Sequence, residues 1–308
     1  MRSDVSNRKA WSWISAGLLV IALAVLPLSA KVTNREVTLN VMLQGAKSLP
    51  PLQASNFVVT DNGQLQNVEV VAGPSNPTPL YVAVALENGV AASANNQLGN
   101  LKQFIMALPQ GTNVLVAKID RNHATVTVPF TTDRSRTARA VSILADVPSE
   151  VPLNTFVSVS ELLNNFKGLE GRKELVLIGS GFDILQDELT PTNNSDLQQA
   201  ENKARDLNVA VHTIWIPSAA GRSPRLDLSG ASNMQDVATA TGGLSFWNVD
   251  RRVVLNLETW LDTLRAAFNQ QYVLRFSPDL APGQRHRIKV QLRDVQESKL
   301  IKVNFPKR

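Results

Sequence analysis

The middle of this 308-residue chain predicts an α/β fold: a doubly wound, mostly parallel sheet flanked by helices. Three observations carry that expectation. Short apolar runs, Tyr81-Val-Ala-Val-Ala-Leu86 and Leu175-Val-Leu-Ile178 among them, are separated by segments with helical periodicity. Alternation of this kind joins parallel strands by right-handed helical crossovers and covers both faces of the sheet. Each of the two runs named ends in a small flexible loop, Glu87-Asn-Gly-Val-Ala91 after the first and Gly179-Ser-Gly-Phe-Asp183 after the second. Neighbouring strands of that sort open a crevice at their carboxyl ends, where open α/β sheets bind ligands.

In chain order, Val37, Leu39 and Val41 alternate with polar residues, and strands at 56–60 and 68–71 flank Asp61-Asn62-Gly63, a hairpin signal. Residues 73–79, with three prolines, read as a linker. Strand 81–86 follows, then a helix carrying Leu98, Leu101, Ile105 and Leu108 on one face and ended by Pro109 and Gly111. Residues 114–119 are a strand. In 124–130, Val126, Val128 and Phe130 alternate with Thr125, Thr127 and Pro129, which marks an edge strand. Asp133 caps a helix through Leu144. A helix over 155–166 turns Phe156, Val159, Leu163 and Phe166 inward. Strand 175–178, helix 196–207 and strand 209–216 come next. A short helix over 233–240 is closed by Thr241-Gly242-Gly243, strand 244–249 follows, and a longer helix stripes Val254, Leu257, Leu261, Leu264 and Phe268. Trp215, Trp247 and Trp260 fall at core-facing positions. Three β segments, 272–276, 287–293 and 300–305, end the chain. The two terminal β pieces are each too small to stand alone, so they are expected to pair with one another. The organisation is therefore a leader at 1–30, an N-terminal β segment at 31–77, the α/β domain at 78–270 and a C-terminal β segment at 271–308 that packs with 31–77.

The formal charge is +5, of which Arg2, Arg8, Lys9 and Asp4 supply three positive and one negative, leaving +3 for the remainder. No dense basic stripe with interleaved aromatics occurs, so nucleic acid is not expected as a partner. The absence of cysteine excludes thiol catalysis, thiolate metal sites and disulfides. Basic residues before an apolar run over 10–28, ending in Leu28-Ser29-Ala30, read as a secretory signal peptide, with an uncleaved membrane anchor as the alternative. Either reading exports the rest to the periplasm, the cell envelope or the medium.

Gly179-Ser180-Gly181 after a strand invites comparison with a hydrolase nucleophile elbow. That motif needs glycines two residues either side of the serine, whereas these are adjacent to it. The histidines available as a base are His123, His212 and His286, with His212 inside a buried strand. No phosphate-cradling loop is present. The chain is expected not to be an enzyme.

Several segments resemble bacterial von Willebrand factor type A-related proteins of the acidobacterial type. They are Arg172-Lys-Glu-Leu-Val-Leu-Ile-Gly-Ser-Gly-Phe-Asp183, Val209-Ala-Val-His-Thr-Ile-Trp-Ile216, Ala238-Thr-Ala-Thr-Gly-Gly-Leu-Ser-Phe246 and Tyr272-Val-Leu-Arg-Phe-Ser-Pro278. The leading hairpin 52–66 joins them, with Asn56 where the subgroup has Asp. The resemblance spans almost all of 31–308. It implies a von Willebrand factor A-like sheet and a small β module built from the N- and C-terminal segments. It also implies a metal-ion-dependent adhesion site, in which Asp-x-Ser-x-Ser, a Thr and a second Asp hold Mg²⁺ or Mn²⁺ for a partner's carboxylate. Here that site is degenerate. Glu87 stands at the first Asp, Gly89 and Ala91 at the serines, Thr155 at the threonine and Ser180 at the last Asp. A hard cation wants about six oxygens, and Gly89 and Ala91 offer none from their side chains. The expectation is no cofactor, with a non-standard Mg²⁺ or Mn²⁺ site as the alternative, and Glu87, Thr155 and Ser180 holding the loops by hydrogen bonds. The implied function is adhesion-type protein binding through the loops at 87–96, 154–155, 179–187 and 218–229. Glu87, Asn88, Ser93, Thr155, Ser180 and Asp183 are the candidate contacts. The alternative is a structural cell-envelope protein whose β module makes the contacts.

Overall fold

The computed structural model describes residues 37–45, 49–146, 154–182, 194–219, 224–248, 256–278, 287–296 and 298–307. The expected leader at 1–30 lies outside them. Among the described residues no helix is long and apolar enough to cross a membrane.

Six strands form the central sheet: β5 (Leu80–Glu87), β6 (Asn113–Asp120), β7 (His123–Thr131), β8 (Arg172–Gly179), β9 (Val209–Trp215) and β10 (Ser245–Phe246). Their order is β10-β9-β8-β5-β6-β7, and only β7 runs antiparallel to its neighbour. Counted along the chain this is 6-5-4-1-2-3, the doubly wound order that reverses direction between its first and fourth strands. The expected edge strand is thus β7, where Pro129 is exposed and costs no ladder bond that an interior strand would need.

Period-two alternation divides β5 between two cores. Val82, Val84 and Leu86 pack under α1 (Leu98–Ala107) and α6 (Leu257–Asn269), while Ala83 and Ala85 pack under α3 (Thr155–Leu162) and α4 (Ser195–Asp206). Helix α5 (Pro224–Thr241) covers the same second face with Ala231, Met234 and Val237. A strand buried on both faces carries no polar side, which is why these strands read as unbroken apolar runs. Asp133 does cap a helix, accepting from the Arg136 amide at 2.9 Å, but that helix, α2 (Arg134–Ala140), stops four residues before Leu144.

The terminal β segments pair as expected. β1 (Val37–Gln44) lies antiparallel between β11 (Gln271–Phe276) and β13 (Lys302–Asn304), and β11 also pairs with β4 (Glu69–Ala72). A second sheet sets β2 (Phe57–Asp61) between β12 (Ile288–Leu292) and β3 (Gln64–Gln66). The two sheets close over one core that includes Leu39, Val41, Val59, Tyr272, Leu274 and Val290. Tyr272 packs its ring 5.2 Å from Phe57 and accepts a hydrogen bond from the Leu52 amide at 3.1 Å, so its polar end is satisfied inside that core.

Four expectations need correction. The turn at Asn62-Gly63 is present, both residues at positive φ (50° and 84°), but its return strand is β3 rather than 68–71, which crosses to the other sheet as β4. The helix expected over 233–240 begins at Pro224, the position where a missing N–H costs a helix nothing. The strand expected over 244–249 has only two residues. Trp247, expected in the core, is 41% exposed, whereas Trp215 is 4% exposed and Trp260 packs partly buried beside Phe246.

Candidate functional site

β5 and β8 are the first and fourth strands, so the reversal of strand order falls between their carboxyl ends. The register pairs Leu86 with Ile178, which puts Glu87 abreast of Gly179 as the strands finish. Gly179 makes the arrangement sterically feasible: a Cβ there would sit 2.2 Å from Glu87 Oε2 and 3.0 Å from Glu87 Cβ. The glutamate side chain can therefore fold across the end of β8, where it is 1% exposed.

Donors from Thr155 and Ser180 converge on it. Thr155 Oγ1 donates to Oε2 at 2.9 Å, the Ser180 amide donates to Oε2 at 3.1 Å and Ser180 Oγ donates to Oε1 at 2.6 Å. Burial pushes the Glu87 carboxyl above its ordinary range and outweighs the hydrogen bonds from Ser180, Thr155 and Gly181 that pull it down. Glu87 is thus a bridge between three segments that meet only in the folded chain.

The surrounding loops are tied as firmly. Asn154 caps α3, accepting from the amides of Phe156 (3.2 Å) and Val157 (3.1 Å), and donates to Asp196 at 2.7 Å. The Thr155 amide reaches the Phe182 carbonyl at 3.0 Å. Gly181, at φ 66°, presses on α5, where an added Cβ would meet the Gly230 carbonyl oxygen at 2.4 Å. Trp215 Nε1 and Asn233 Nδ2 donate to the carbonyls of Ser180 and Gly181, both at 3.1 Å. After Glu87, the Asn88 amide bonds the Ile119 carbonyl, the Gly89 amide bonds the Ala145 carbonyl and the Ala219 amide bonds the Gly89 carbonyl, all within 2.8–2.9 Å. Asn88 Oδ1 also accepts from the Ala145 amide at 3.0 Å.

Of the candidate residues, the structure brings Glu87, Thr155 and Ser180 into one cluster. Asn88 is buried and points into the 145 segment, which removes it as a contact for a partner. Gly89 serves as a turn residue at φ 78°, and Ala91 is pinned by its amide to the Pro217 carbonyl at 2.8 Å. Ser93 is exposed on a 3-10 turn over 92–97. Asp183 and the rest of 183–187 lie outside the described residues, as do 220–223 of the 218–229 segment, which is helical from Pro224 onward rather than a polar loop. Trp215, Asn233 and Gly230 were not singled out from the sequence for this site.

The described side chains do not fit a divalent-ion site of the adhesion type. Both Glu87 oxygens already accept from hydroxyls or an amide, the two hydroxyls aim their protons at that carboxylate, and the side chains of Gly89 and Ala91 bring no ligating atom. Among the described residues no three acidic or histidine side chains gather closely enough to hold a metal. Nor does a described histidine stand beside Ser180: His212 bonds Glu174 at 2.8 Å, His123 bonds Glu161 at 2.8 Å, and His286 is outside the described residues.

The sequence reading also missed a second buried polar cluster, built from the amino-terminal half of β8 and the neighbouring strand β9. Glu174 and His212 are both fully buried, with His212 Nε2 2.8 Å from Glu174 Oε2. The Leu244 amide donates to His212 Nδ1 at 3.0 Å, which leaves Nε2 as the protonated nitrogen, donating to the carboxylate. Gln271 Nε2 donates to Glu174 Oε1 at 2.6 Å, and Arg172 lies close enough for Glu174 to raise its pKa against the larger lowering by burial. Arg172 Nη1 donates to the Phe268 carbonyl at 2.9 Å. The cluster clamps α6 and β11 onto the central sheet.

No protein-family model matches the chain, and neither does any curated protein. Among solved structures, it is similar to an aerotolerance-related membrane protein from Bacteroides fragilis, at 14% identity over 62% of this chain and 98% of the other, with a TM-score of 0.45. The vWF domain of the type V pili tip protein Mfa5 from Porphyromonas gingivalis matches at 10% identity over 63% of this chain and 96% of the other, TM-score 0.42. The SpRpn10 VWA domain matches at 15% identity over 55% and 88%, TM-score 0.38. The strand order, the antiparallel third strand and the helices on both faces of the sheet are those of a doubly wound α/β fold of the von Willebrand factor A-like kind.

Proposed function

We propose that this chain is an exported, non-enzymatic protein-interaction module that binds its partner through the loops at the carboxyl edge of the sheet, without a metal ion. The saturation of Glu87 is the observation that carries this reading. An adhesion site of the metal-dependent kind captures a partner's carboxylate through a cation. Here the acidic group that would anchor the cation spends its acceptor capacity on Thr155 and Ser180 instead. What remains to face a partner is a set of bonded segments that carry exposed apolar side chains. Ile143 is 72% exposed, Leu228 49% and Val157 37%, and each stands on a segment bonded to the crevice: next to the 144–145 stretch, on α5 and on the first turn of α3. Exposed apolar side chains held on hydrogen-bonded segments suit protein contacts, because little conformational entropy is lost when they dock.

Export rests on the basic, apolar and small-residue order of 1–30. The partner is a protein; nucleic acid finds no basic surface to match, and a membrane enters only through an uncleaved leader. A photo-crosslinking amino acid placed at 143 or 228, on cells kept in EDTA, tests the binding face. Discrete adducts from those two positions, absent from a probe at exposed Leu65 of the β module, are the expected result. Adducts only from Leu65 would move the function to the β module and sink the crevice reading. Adducts that need added Mg²⁺ would sink metal independence alone.

A further inference from the structure

The β module and the α/β domain meet along a cleft of about 270 Å³. One wall is the tail of the chain, with Lys302, Asn304 and Lys307, and the other runs from α5 to just past β10, with Gln235 and Trp247. Gln44 of β1 joins the lining. The tail wall is fastened on both sides. In the β module, Lys302 pairs with Gln44 and Asn304 with Met42 along the β13–β1 ladder. On the α/β side, the Lys307 amide bonds the Ala240 carbonyl at 3.0 Å, and Arg205 Nη1 donates to the Lys307 carbonyl at 3.2 Å. The walls touch at Gly242, where a Cβ would lie 2.5 Å from the Phe305 carbonyl carbon, and the cleft lies beside that contact.

Three kinds of group line it. Trp247 is 41% exposed, and among the described residues no aromatic ring packs against it. Gln44, Gln235 and Asn304 carry amides, each able to donate and to accept. Asn304 Nδ2 is buried without a hydrogen-bond partner, so the amide breaks no bond there when it turns about its soft terminal torsion to meet a ligand. The charged residues of the described lining are Lys302 and Lys307, with no carboxylate. Asp236 stands near Lys307, but among the described residues no carboxylate pairs with Lys302.

We propose that this cleft binds a single acidic sugar unit, a pyranose ring that carries a carboxylate. The C–H face of the ring packs on Trp247, the hydroxyls exchange hydrogen bonds with the three amides, and the carboxylate pairs with the lysines. A neutral sugar would leave the lysines unused, and an aromatic acid without hydroxyls would leave the amides unused. The volume lies just below the range of about 300–1,000 Å³ that drug-sized ligands occupy, which suits one ring rather than an oligosaccharide. A seam between two domains is also a common place for a small-molecule site. The cleft is separate from the Glu87 crevice and does not depend on the reading of that site.

The test is titration calorimetry of the exported chain with glucuronate, glucose and benzoate at constant ionic strength. Glucuronate is expected to bind with a Kd on the order of 1 mM, which a ligand of about a dozen heavy atoms reaches at ordinary efficiency. Glucose and benzoate should each bind at least about tenfold more weakly, because each lacks one of the matched features. Trp247→Ala should weaken glucuronate by about tenfold. The double variant Lys302→Gln and Lys307→Gln should bring glucuronate down to the affinity of glucose, since it removes the charge that assists those hydrogen bonds. All three positions carry exposed side chains, so unchanged melting temperatures would show that the losses are local. Asn304→Leu should weaken glucuronate without lowering the melting temperature, because the amide it removes has an unpartnered buried donor. Ile143→Ser should leave the affinity untouched. Failure of glucuronate to saturate at tens of millimolar overturns the proposal. So does equal binding of glucose or of benzoate, or full glucuronate affinity in Trp247→Ala.

Discussion

Glu87 and Glu174 are buried carboxylates on neighbouring strands at opposite ends of one sheet, and their partners differ in kind. Glu174 is matched by His212, Gln271 and the nearby Arg172 guanidinium, drawn from β8, β9 and β11. Glu87 has hydroxyls and an amide but, among the described residues, no cation, and burial raises its proton affinity. One end of the sheet is a charged clamp that fastens the β module to the α/β domain. The other is a hydrogen-bonded knot that ties together the loops at the carboxyl edge of the sheet. A buried charge is tolerated only where other groups compensate it. The amino end carries the cation that does so, and the carboxyl end relies on hydrogen bonds.

Removing each carboxylate measures that difference. Glu174→Ala should have the largest effect, about 3–5 kcal/mol by urea unfolding, because it strands a buried guanidinium, an imidazole N–H and an amide together. Gly179→Ala should cost about 1–3 kcal/mol, since the new methyl group occupies the space of the Glu87 carboxylate. A cost near zero would mean that the knot is loose and would dissolve the contrast. Ser180→Ala should cost about 1–3 kcal/mol by removing a donor from a buried acid.

The effect of pH follows from the sign of the Glu87 shift. Its folded pKa lies above its unfolded value, so the folded state holds the proton more tightly. The stability this contributes is greatest in acid and is lost as pH rises through the folded pKa. The difference in unfolding free energy between wild type and Glu87→Gln should therefore fall as pH rises from mildly acidic to neutral. A flat difference would contradict the burial argument. The smallest effects belong to the apolar rim: Ile143→Ser, Val157→Ser and Leu228→Ser should each change stability by under about 0.5 kcal/mol while reducing the crosslinked adduct.

The strand alternation of 81–246 was legible because doubly buried strands give unbroken apolar runs, and Gly179 and Ser180 stood out at the end of one. The meeting of Glu87 with Thr155 and Ser180 was legible through the resemblance, which placed all three at the same site. The Glu174 clamp was not legible. Its members are separated by 38 residues to His212 and 97 to Gln271, and a lone His inside Val-Ala-Val-His-Thr-Ile-Trp carries no local sign of its partner. Element ends were the other weak point. Pro224 opens a helix whose first turn has no apolar stripe to announce it, and Trp247 lies just beyond a two-residue strand that was expected to carry it into the core.

Titration calorimetry of Mg²⁺ and Mn²⁺ into EDTA-stripped protein, with a thermal melt in parallel, tests the metal-free crevice most directly. A bound ion would stabilise the fold by about 2.7 kcal/mol at a hundredfold excess over its Kd. The saturated Glu87 predicts no binding heat and no shift in Tm at millimolar ion. One ion bound per chain, with a raised Tm that Glu87→Gln abolishes, would contradict it.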